Sequence, residues 1–293
     1  MSRCVVILAC ALYLAACGPR VLEPDAPYDC ERCADWNKPQ DPFRVYGNTW
    51  YVGTEGLSSI LIETSNGLIL VDGGLAQSAP LIDANIRELG FDPLDIKAIF
   101  VSHAHFDHAG GVNALQRLSG AAVYTSDNGV TTLGTGRLEY GDPQYVADSD
   151  QGSFPATRNV VVVADGGAVT VGDVAVTAVY TPGHAINSVT WTWESCVLGS
   201  CYSVVYADSL TAVSARGFSF GASGAAAAMI ESAGKIADLD CDILLSPHPF
   251  FFGMHDKLER LDDGNPFINE LACTFFAEEA LGWLEQRLDA EGS

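Results

Sequence analysis

Three histidines and one aspartate fall within the six residues 103–108, His-Ala-His-Phe-Asp-His, just after the apolar run 96–101. His103 and His105 point the same way if the chain leaves a strand in extended form, because side chains alternate with a period of two. The aspartate and the last histidine then lie one step further around a turn. Imidazole and carboxylate donors in this arrangement suit two neighbouring zinc ions. A histidine-rich surface loop is the alternative.

Two further histidines end apolar segments elsewhere in the chain. His184 follows the alternating pattern 174–179, and His248 follows the apolar stretch 241–245. Asp72 ends another such run, and we expect it to form a turn or to support ligands, because Asp-Gly is a plain turn signal. Polar groups at several strand ends can build one shared site at an edge of a sheet. The sequence therefore favours a metal site over a surface loop.

The combination of these motifs resembles the metallo-β-lactamase superfamily over residues 41–287, and in particular the third subclass of class B β-lactamases. The resemblance implies a four-layer αββα sandwich. The motifs that carry it are His103-x-His-x-Asp-His108, Gly183-His184, Trp191-Thr-Trp193, Tyr206-Ala-Asp-Ser-Leu210 and Cys241-Asp-Ile-Leu-Leu-Ser-Pro-His-Pro249.

The resemblance also implies a set of metal ligands and an activity. The activity is hydrolysis of the amide bond of β-lactam antibiotics (penicillins, cephalosporins and carbapenems) by a hydroxide that two zinc ions activate, with Asp107 orienting the hydroxide. Two zinc ions, the Asp107 carboxylate, five neutral imidazoles and one hydroxide would together carry a charge of about +2, which would attract an anionic substrate. The implied ligands are His103, His105 and His184 for one zinc ion, and Asp107, His108 and His248 for the other.

Two hydroxyl groups and one further histidine complete the candidate residues. Ser209 and Thr211 are expected to bind the substrate carboxylate or a zinc-bound water, or else to cap the end of a strand at 202–206. His255 lies in no motif, and we expect it at the surface or in support of the ligands.

The same motif serves other hydrolases on this scaffold, and these remain the alternative. A lactonase or a glyoxalase-like thioesterase would share the histidines, and glyoxalase-like relatives use an aspartate near Asp208 to bridge both metals. A zinc-binding protein without turnover is a third possibility. At 185–187 the chain has Ala-Ile-Asn where lactamases usually have Thr-Pro-Gly, and Phe218 lies near a tyrosine of some relatives. Both departures bear on substrate preference.

Composition limits the class of partner. The chain has 293 residues, 48% of them hydrophobic, and a formal net charge of −22. A charge of this sign repels phosphate backbones, so we expect no nucleic-acid partner. The length suits one large domain or a fused pair of halves.

The first residues have the features of an export signal. One arginine precedes an apolar run that is too short to favour a membrane span. Leu14-Ala-Ala-Cys17 resembles the lipobox of bacterial lipoproteins, and an ordinary signal peptide cleaved nearby is the alternative. We therefore expect a signal peptide over 1–16, a lipid on Cys17 as the membrane attachment, a proline-rich extended tether over 17–42 and the catalytic domain over 43–293. A periplasmic lipoprotein is the expected product.

Six cysteines remain after Cys17, an even number that suits an oxidising compartment. Cys196 and Cys201 flank a predicted hairpin turn. Cys241 and Cys273 resemble a pair in the related lactamases, which leaves Cys30 and Cys33 for each other. A redox pair or a partial metal site remains open for this Cys-x-x-Cys.

The pattern of predicted elements is strands followed by helices, twice, which indicates an α/β or α+β fold. We predict a helix over 78–89 with Ser78 as its N-cap, a second over 112–118, a third over 224–239 and a last one over about 266–287. Residues 134–158 show no periodicity, and they form either a flap beside the site or a surface insert.

Overall fold

The computed structural model of the chain describes residues 20–261 and 264–292. The predicted signal peptide at 1–16 and the predicted lipid attachment at Cys17 lie outside these residues. Within the described ranges, none of the helices combines the length and the apolar character that crossing a membrane requires.

The first sheet has seven strands, whose spatial order follows the order of the chain. The first four strands pair antiparallel, and the fourth to the seventh pair parallel. The strands are β1 (Phe43–Tyr46), β2 (Thr49–Tyr51), β3 (Ile60–Thr64), β4 (Gly67–Val71), β5 (Ile96–Phe100), β6 (Ala122–Thr125) and β7 (Val160–Val162).

The second sheet has five strands in the order β12-β11-β10-β9-β8. Its edge strand β12 runs parallel to β11, and the other neighbours are antiparallel. The strands are β8 (Ala168–Val171), β9 (Val174–Tyr180), β10 (Val189–Val197), β11 (Ser200–Tyr206) and β12 (Ile243–Leu245).

Helices flank both sheets. The α-helices are α1 (Cys33–Trp36), α2 (Ala79–Glu88), α3 (Phe106–Ala109), α4 (Val112–Ser119), α5 (Gly129–Thr135), α6 (Phe220–Ser223), α7 (Ala225–Ala237), α8 (Met254–Leu258) and α9 (Ala272–Gly292). Short 3-10 helices lie at Ala76–Ser78, Pro93–Asp95 and Pro249–Phe252.

Apolar residues on both faces of the first sheet explain the layers. Leu61 and Leu70 pack with Ile82 of α2 in one core, whereas Ile60 belongs to the core shared with the second sheet. Strand residues alternate between the two faces, so a strand that is apolar throughout must be covered on both sides. Phe100 of β5 meets Trp191 of β10 between the sheets, with ring centroids 4.7 Å apart. The expected αββα sandwich is confirmed.

Several element boundaries differ from the sequence predictions. Strand β1 was not predicted, and α9 begins at Ala272 rather than near residue 266. Helix α2 follows the predicted Ser78, but this hydroxyl does not cap the helix. It donates to Asn37 Oδ1 at 2.6 Å and accepts from Leu75 N at 3.1 Å, so these contacts replace the cap.

The segment around α1, which falls within the predicted tether over 17–42, packs on the domain. Tyr28 lies against Phe106, with ring centroids 4.2 Å apart, and Trp36 lies against His248 at 5.3 Å. Buried Cys33 adds to this small cluster. The three expected disulfides are present, namely Cys30–Cys33, Cys196–Cys201 and Cys241–Cys273.

Candidate metal centre

The six predicted ligands meet at one edge of the two sheets. They come from the residues after β5 and at the start of α3, from the turn after β9 and from the turn after β12. All but His248 are at most 7% exposed. The six are His103, His105, Asp107, His108, His184 and His248.

Their donor atoms form two overlapping groups. Ligand atoms of His103, His105 and His184 lie within 4.8 Å of one another, and so do those of His103, Asp107 and His108. Carboxylate atom Oδ2 of Asp107 lies 3.3 Å from Nε2 of His108 and 3.6 Å from Nε2 of His248. His103 therefore stands between the two expected ion positions.

Hydrogen bonds to the ring nitrogen that points away from the cluster fix the orientation of three histidine rings. His103 Nδ1 lies 2.7 Å from Asp208 Oδ1, and His103 Nε2 has no partner among the described residues. Because a carboxylate accepts, Nδ1 carries the proton and Nε2 keeps its lone pair. His184 Nδ1 lies 2.8 Å from the carbonyl oxygen of Thr211, and His248 Nδ1 lies 3.1 Å from that of Gly56. All three rings therefore offer Nε2 to a ligand.

His105 has the opposite arrangement. Its Nε2 lies 3.1 and 3.2 Å from the two carboxylate oxygens of Asp142, so Nδ1 is the nitrogen with a lone pair. The amide of Gln144 lies 3.2 Å from that Nδ1. Both ring nitrogens of buried His108 lack a hydrogen-bond partner among the described residues.

Burial lowers the pKa of three of the histidine rings. It lowers the pKa of His103 well below the usual value. Burial, assisted by His105, lowers the pKa of His184 to about 4, and burial with His108 lowers that of His248 to about 4. Burial raises the pKa of Asp107, but His108 outweighs it and holds this pKa well below the usual range. Neutral rings at His103, His184 and His248 beside an ionised carboxylate are the protonation states that metal binding requires. Burial also lowers the pKa of His105 and His108, but the Asp142 and Asp107 carboxylates outweigh it and raise these two pKa values.

Asp72 supports the stretch that carries the ligands. Its side chain accepts from Ser102 N at 2.8 Å, from Ser102 Oγ at 2.7 Å and from the Tyr206 hydroxyl at 2.8 Å. Ser102 precedes His103, so Asp72 holds the end of β5 in place. Burial raises the pKa of Asp72 to about 6.

The two predicted hydroxyls have different surroundings. Ser209 Oγ is buried and has no hydrogen-bond partner among the described residues. Thr211 Oγ1 lies 3.0 Å from His184 Nδ1. His255 lies away from the cluster, exposed, with Nε2 3.3 Å from the Glu55 carbonyl oxygen.

Sequence reasoning singled out one of the two carboxylates behind the rings, Asp208, and missed the other, Asp142. Asp208 was considered as a bridging ligand, but its Oδ1 bonds the ring nitrogen of His103 that faces away from the cluster. Asp142 was not singled out, and it lies in the aperiodic stretch after α5, where no pattern marks it. Asp208 could be found from the sequence because it follows the end of an apolar strand, within the Tyr-Ala-Asp-Ser motif.

The chemistry of these residues fits a metal. Ring nitrogens of His103 and His108 are buried without a hydrogen-bond partner in the described ranges. Leaving such atoms unpaired is costly, and a cation that accepts their lone pairs removes that cost. Carboxylates behind the rings are the partners that orient histidine ligands.

A cavity of about 270 Å³ opens beside His105. Residues from the N-terminal segment, from the stretch after α5 and from residues 213–215 form its wall. They include Tyr28, Cys30, Phe106, Leu138, Gln144, Gln151, Val213 and Ser214.

Comparisons with known proteins agree with this geometry. Residues 52–248 match the profile described as the Metallo-beta-lactamase superfamily. The chain is 44% identical to MEM-A1, a subclass B3 metallo-beta-lactamase from a soil metagenome library, with a TM-score of 0.85 over 88% of this chain and 99% of that one. It is 43% identical to the metallo-beta-lactamase SMB-1, crystallised with mercaptoacetic acid, with a TM-score of 0.84 over the same shares.

A shorter match joins the chain to a curated relative with another activity. Exodeoxyribonuclease WalJ of Streptococcus pneumoniae is 37% identical over 75 residues, which cover 26% of this chain and 27% of that protein. The chain thus spans about a quarter of this relative's length.

Proposed function

Because the chain belongs to the metallo-β-lactamase superfamily, and to subclass B3 within it, we infer that it is a zinc-dependent hydrolase of β-lactam antibiotics. The observation that carries this conclusion is the convergence of five buried or nearly buried imidazoles and one carboxylate, in a chain 44% identical to a B3 enzyme along nearly its whole length. The net reaction adds water across the lactam C–N bond, with hydroxide on the carbonyl carbon and a proton on the nitrogen.

We propose two zinc ions per chain. His103, His105 and His184 would hold one ion, and Asp107, His108 and His248 the other. Formal charge supports this number, since two ions carry four positive charges and the site contains four buried aspartates. They are Asp72, Asp107, Asp142 and Asp208. The charge of about +2 expected from the sequence counted Asp107 and one hydroxide, and the three other aspartates add the further compensation that buried charges require.

Different residues of the site have different roles in hydrolysis. Zinc, when bound, makes water nucleophilic near neutral pH and polarises a carbonyl group. Asp107, held ionised, accepts a hydrogen bond from the attacking water and orients it. Ser209 offers an unpaired hydroxyl to the substrate carboxylate. Thr211 acts through His184, whose Nδ1 it contacts with both its carbonyl oxygen and its hydroxyl.

Turnover of a chromogenic cephalosporin tests the proposal. We expect hydrolysis by the purified protein, loss of activity on chelation, and recovery on addition of zinc with two ions per chain by elemental analysis. The lactam ring opens because the site supplies an oriented water next to a polarised carbonyl. A protein that holds its full metal complement and leaves β-lactams intact, while cleaving a lactone or a thioester, would refute the lactamase assignment.

We propose export to the periplasm as a lipoprotein attached through Cys17, which would place the enzyme where β-lactams enter the cell. Support comes from the lipobox-like Leu14-Ala-Ala-Cys17 and from the disulfides. Cys17→Ser is expected to move the protein from the membrane fraction to the soluble fraction. Unchanged fractionation of Cys17→Ser would show that the lipobox interpretation is wrong.

A further inference from the structure

The segment of residues 136–159 carries a buried carboxylate in a largely exposed stretch. Asp142 is 2% exposed, whereas Tyr140 is 90% exposed and residues 147–151 are also exposed. Burying an ionised carboxylate is unfavourable unless partners compensate it. The contacts of Asp142 therefore indicate what it does.

These contacts reach the metal centre. Both Asp142 oxygens accept from His105 Nε2, at 3.1 and 3.2 Å, and the Gln144 backbone N–H donates to Oδ1 at 2.9 Å. The bond to Nε2 leaves the lone pair of His105 on Nδ1. Gln144 lies with its side-chain nitrogen 3.2 Å from Nδ1, as expected if this atom is an acceptor. Asp142 thus selects both the tautomer and the orientation of the His105 ring.

The rest of the segment is held by backbone hydrogen bonds and by Phe154, which is buried in the core beside α2. Phe154 N donates to Gly136 O at 2.9 Å and closes the base. Ala215 N donates to Pro143 O at 2.8 Å, and Gly152 N donates to the Tyr28 hydroxyl at 2.9 Å. In this closed arrangement, the segment forms part of the wall of the cavity beside His105.

We propose that Asp142 is a positioning residue that couples closure of segment 136–159 to zinc binding at His105. The ring orientation that Asp142 imposes favours zinc on Nδ1, from which the Gln144 side-chain amide would withdraw when zinc binds. By thermodynamic reciprocity, zinc on Nδ1 favours the His105–Asp142 bond and with it the closed segment. The inference rests on the proposed zinc binding. The proposal gives segment 136–159 a role in zinc binding, in addition to forming part of the wall of the cavity beside His105.

Zinc affinity provides the first test, with dissociation constants measured by competition with a chromophoric chelator in the full chain. Asp142→Ala is expected to weaken zinc binding roughly 10- to 100-fold, the range for partners of metal-bound histidines. Asp142→Asn keeps an oxygen acceptor, so its zinc dissociation constant should fall between those of the parent and Asp142→Ala. Asp150→Ala is the matched control, because it removes the same charge from the same segment. Asp150 pairs with Arg137 at the exposed surface, so zinc affinity should change less than about twofold.

Hydrogen exchange provides a readout that a purely structural role would not move. In the parent, zinc should slow exchange of the Gly152 and Ala215 amides, whose acceptors are not Asp142, and in Asp142→Ala zinc should leave their exchange unchanged. Unchanged zinc affinity in Asp142→Ala, or equal zinc-dependent protection in parent and variant, would overturn the inference. If Asp142→Ala does not fold, Asp142→Asn carries the same comparison. A parent that binds no zinc would refute the proposed function as well.

Discussion

Replacing His184 with alanine is expected to lower kcat/KM for a β-lactam by at least about 1,000-fold, which corresponds to ~4 kcal/mol of transition-state stabilisation. His184 lies at a turn after β9, with its Nδ1 held by Thr211 and its Nε2 directed at His103 and His105. Its removal takes one of three nitrogen donors from the first ion. Zinc content after dialysis should fall together with activity, measured on the same preparation.

His255→Ala is the matched control for this experiment. It removes a histidine that is exposed and lies outside the cluster. Zinc content and kcat/KM should both match the parent. If His255→Ala lost as much activity as His184→Ala, the assignment of the metal centre would be wrong.

Asp208→Ala is expected to raise the dissociation constant for zinc by up to about 100-fold while the protein still takes up two ions at saturating zinc. The carboxylate does not lie among the donor atoms. It bonds Nδ1 of His103 at 2.7 Å and so orients a ring that stands between the two proposed ion positions. Chelator competition measures the affinity, and elemental analysis at saturating zinc measures the stoichiometry.

Asp240→Ala controls for the loss of a carboxylate near the same sheet. Asp240 bonds the Ser203 hydroxyl at 3.0 Å and is exposed, so its removal should leave zinc affinity unchanged. A stoichiometry of one ion in folded Asp208→Ala, against two in the parent, would instead support a bridging carboxylate. That result would favour a thioesterase-like site and make β-lactam hydrolysis a side activity.

Much of the metal centre could be predicted from the sequence because its donors follow recognisable strand ends. His103 and His105 follow the apolar run of β5, and His184 and His248 follow β9 and β12. Period-two alternation and turn signals are local properties, so they remain visible along the chain. The order of strands and helices along the chain indicated an α/β or α+β fold, and the four αββα layers were expected only from the resemblance to a known family.

Boundaries that depend on distant packing were not predictable. Ser78 has the residue type of an N-cap, yet it bonds Asn37, which lies 41 residues away. The segment around Trp36 has the prolines of a tether, yet its aromatic rings pack on Phe106 and His248. In both cases tertiary contacts outweigh local preference, because burial of apolar rings and paired polar groups releases more free energy than one capping bond.

The sequence by itself determined which residue types could bind metal and on which turns they lie. The tertiary structure alone decided which ring nitrogen each histidine presents. His105 bonds Asp142 through Nε2, whereas His248 bonds the carbonyl oxygen of Gly56, 192 residues away, through Nδ1. The two ring nitrogens of a free imidazole are nearly equivalent, so the hydrogen-bond partner on the opposite side selects the tautomer, and that partner is brought there only by the fold.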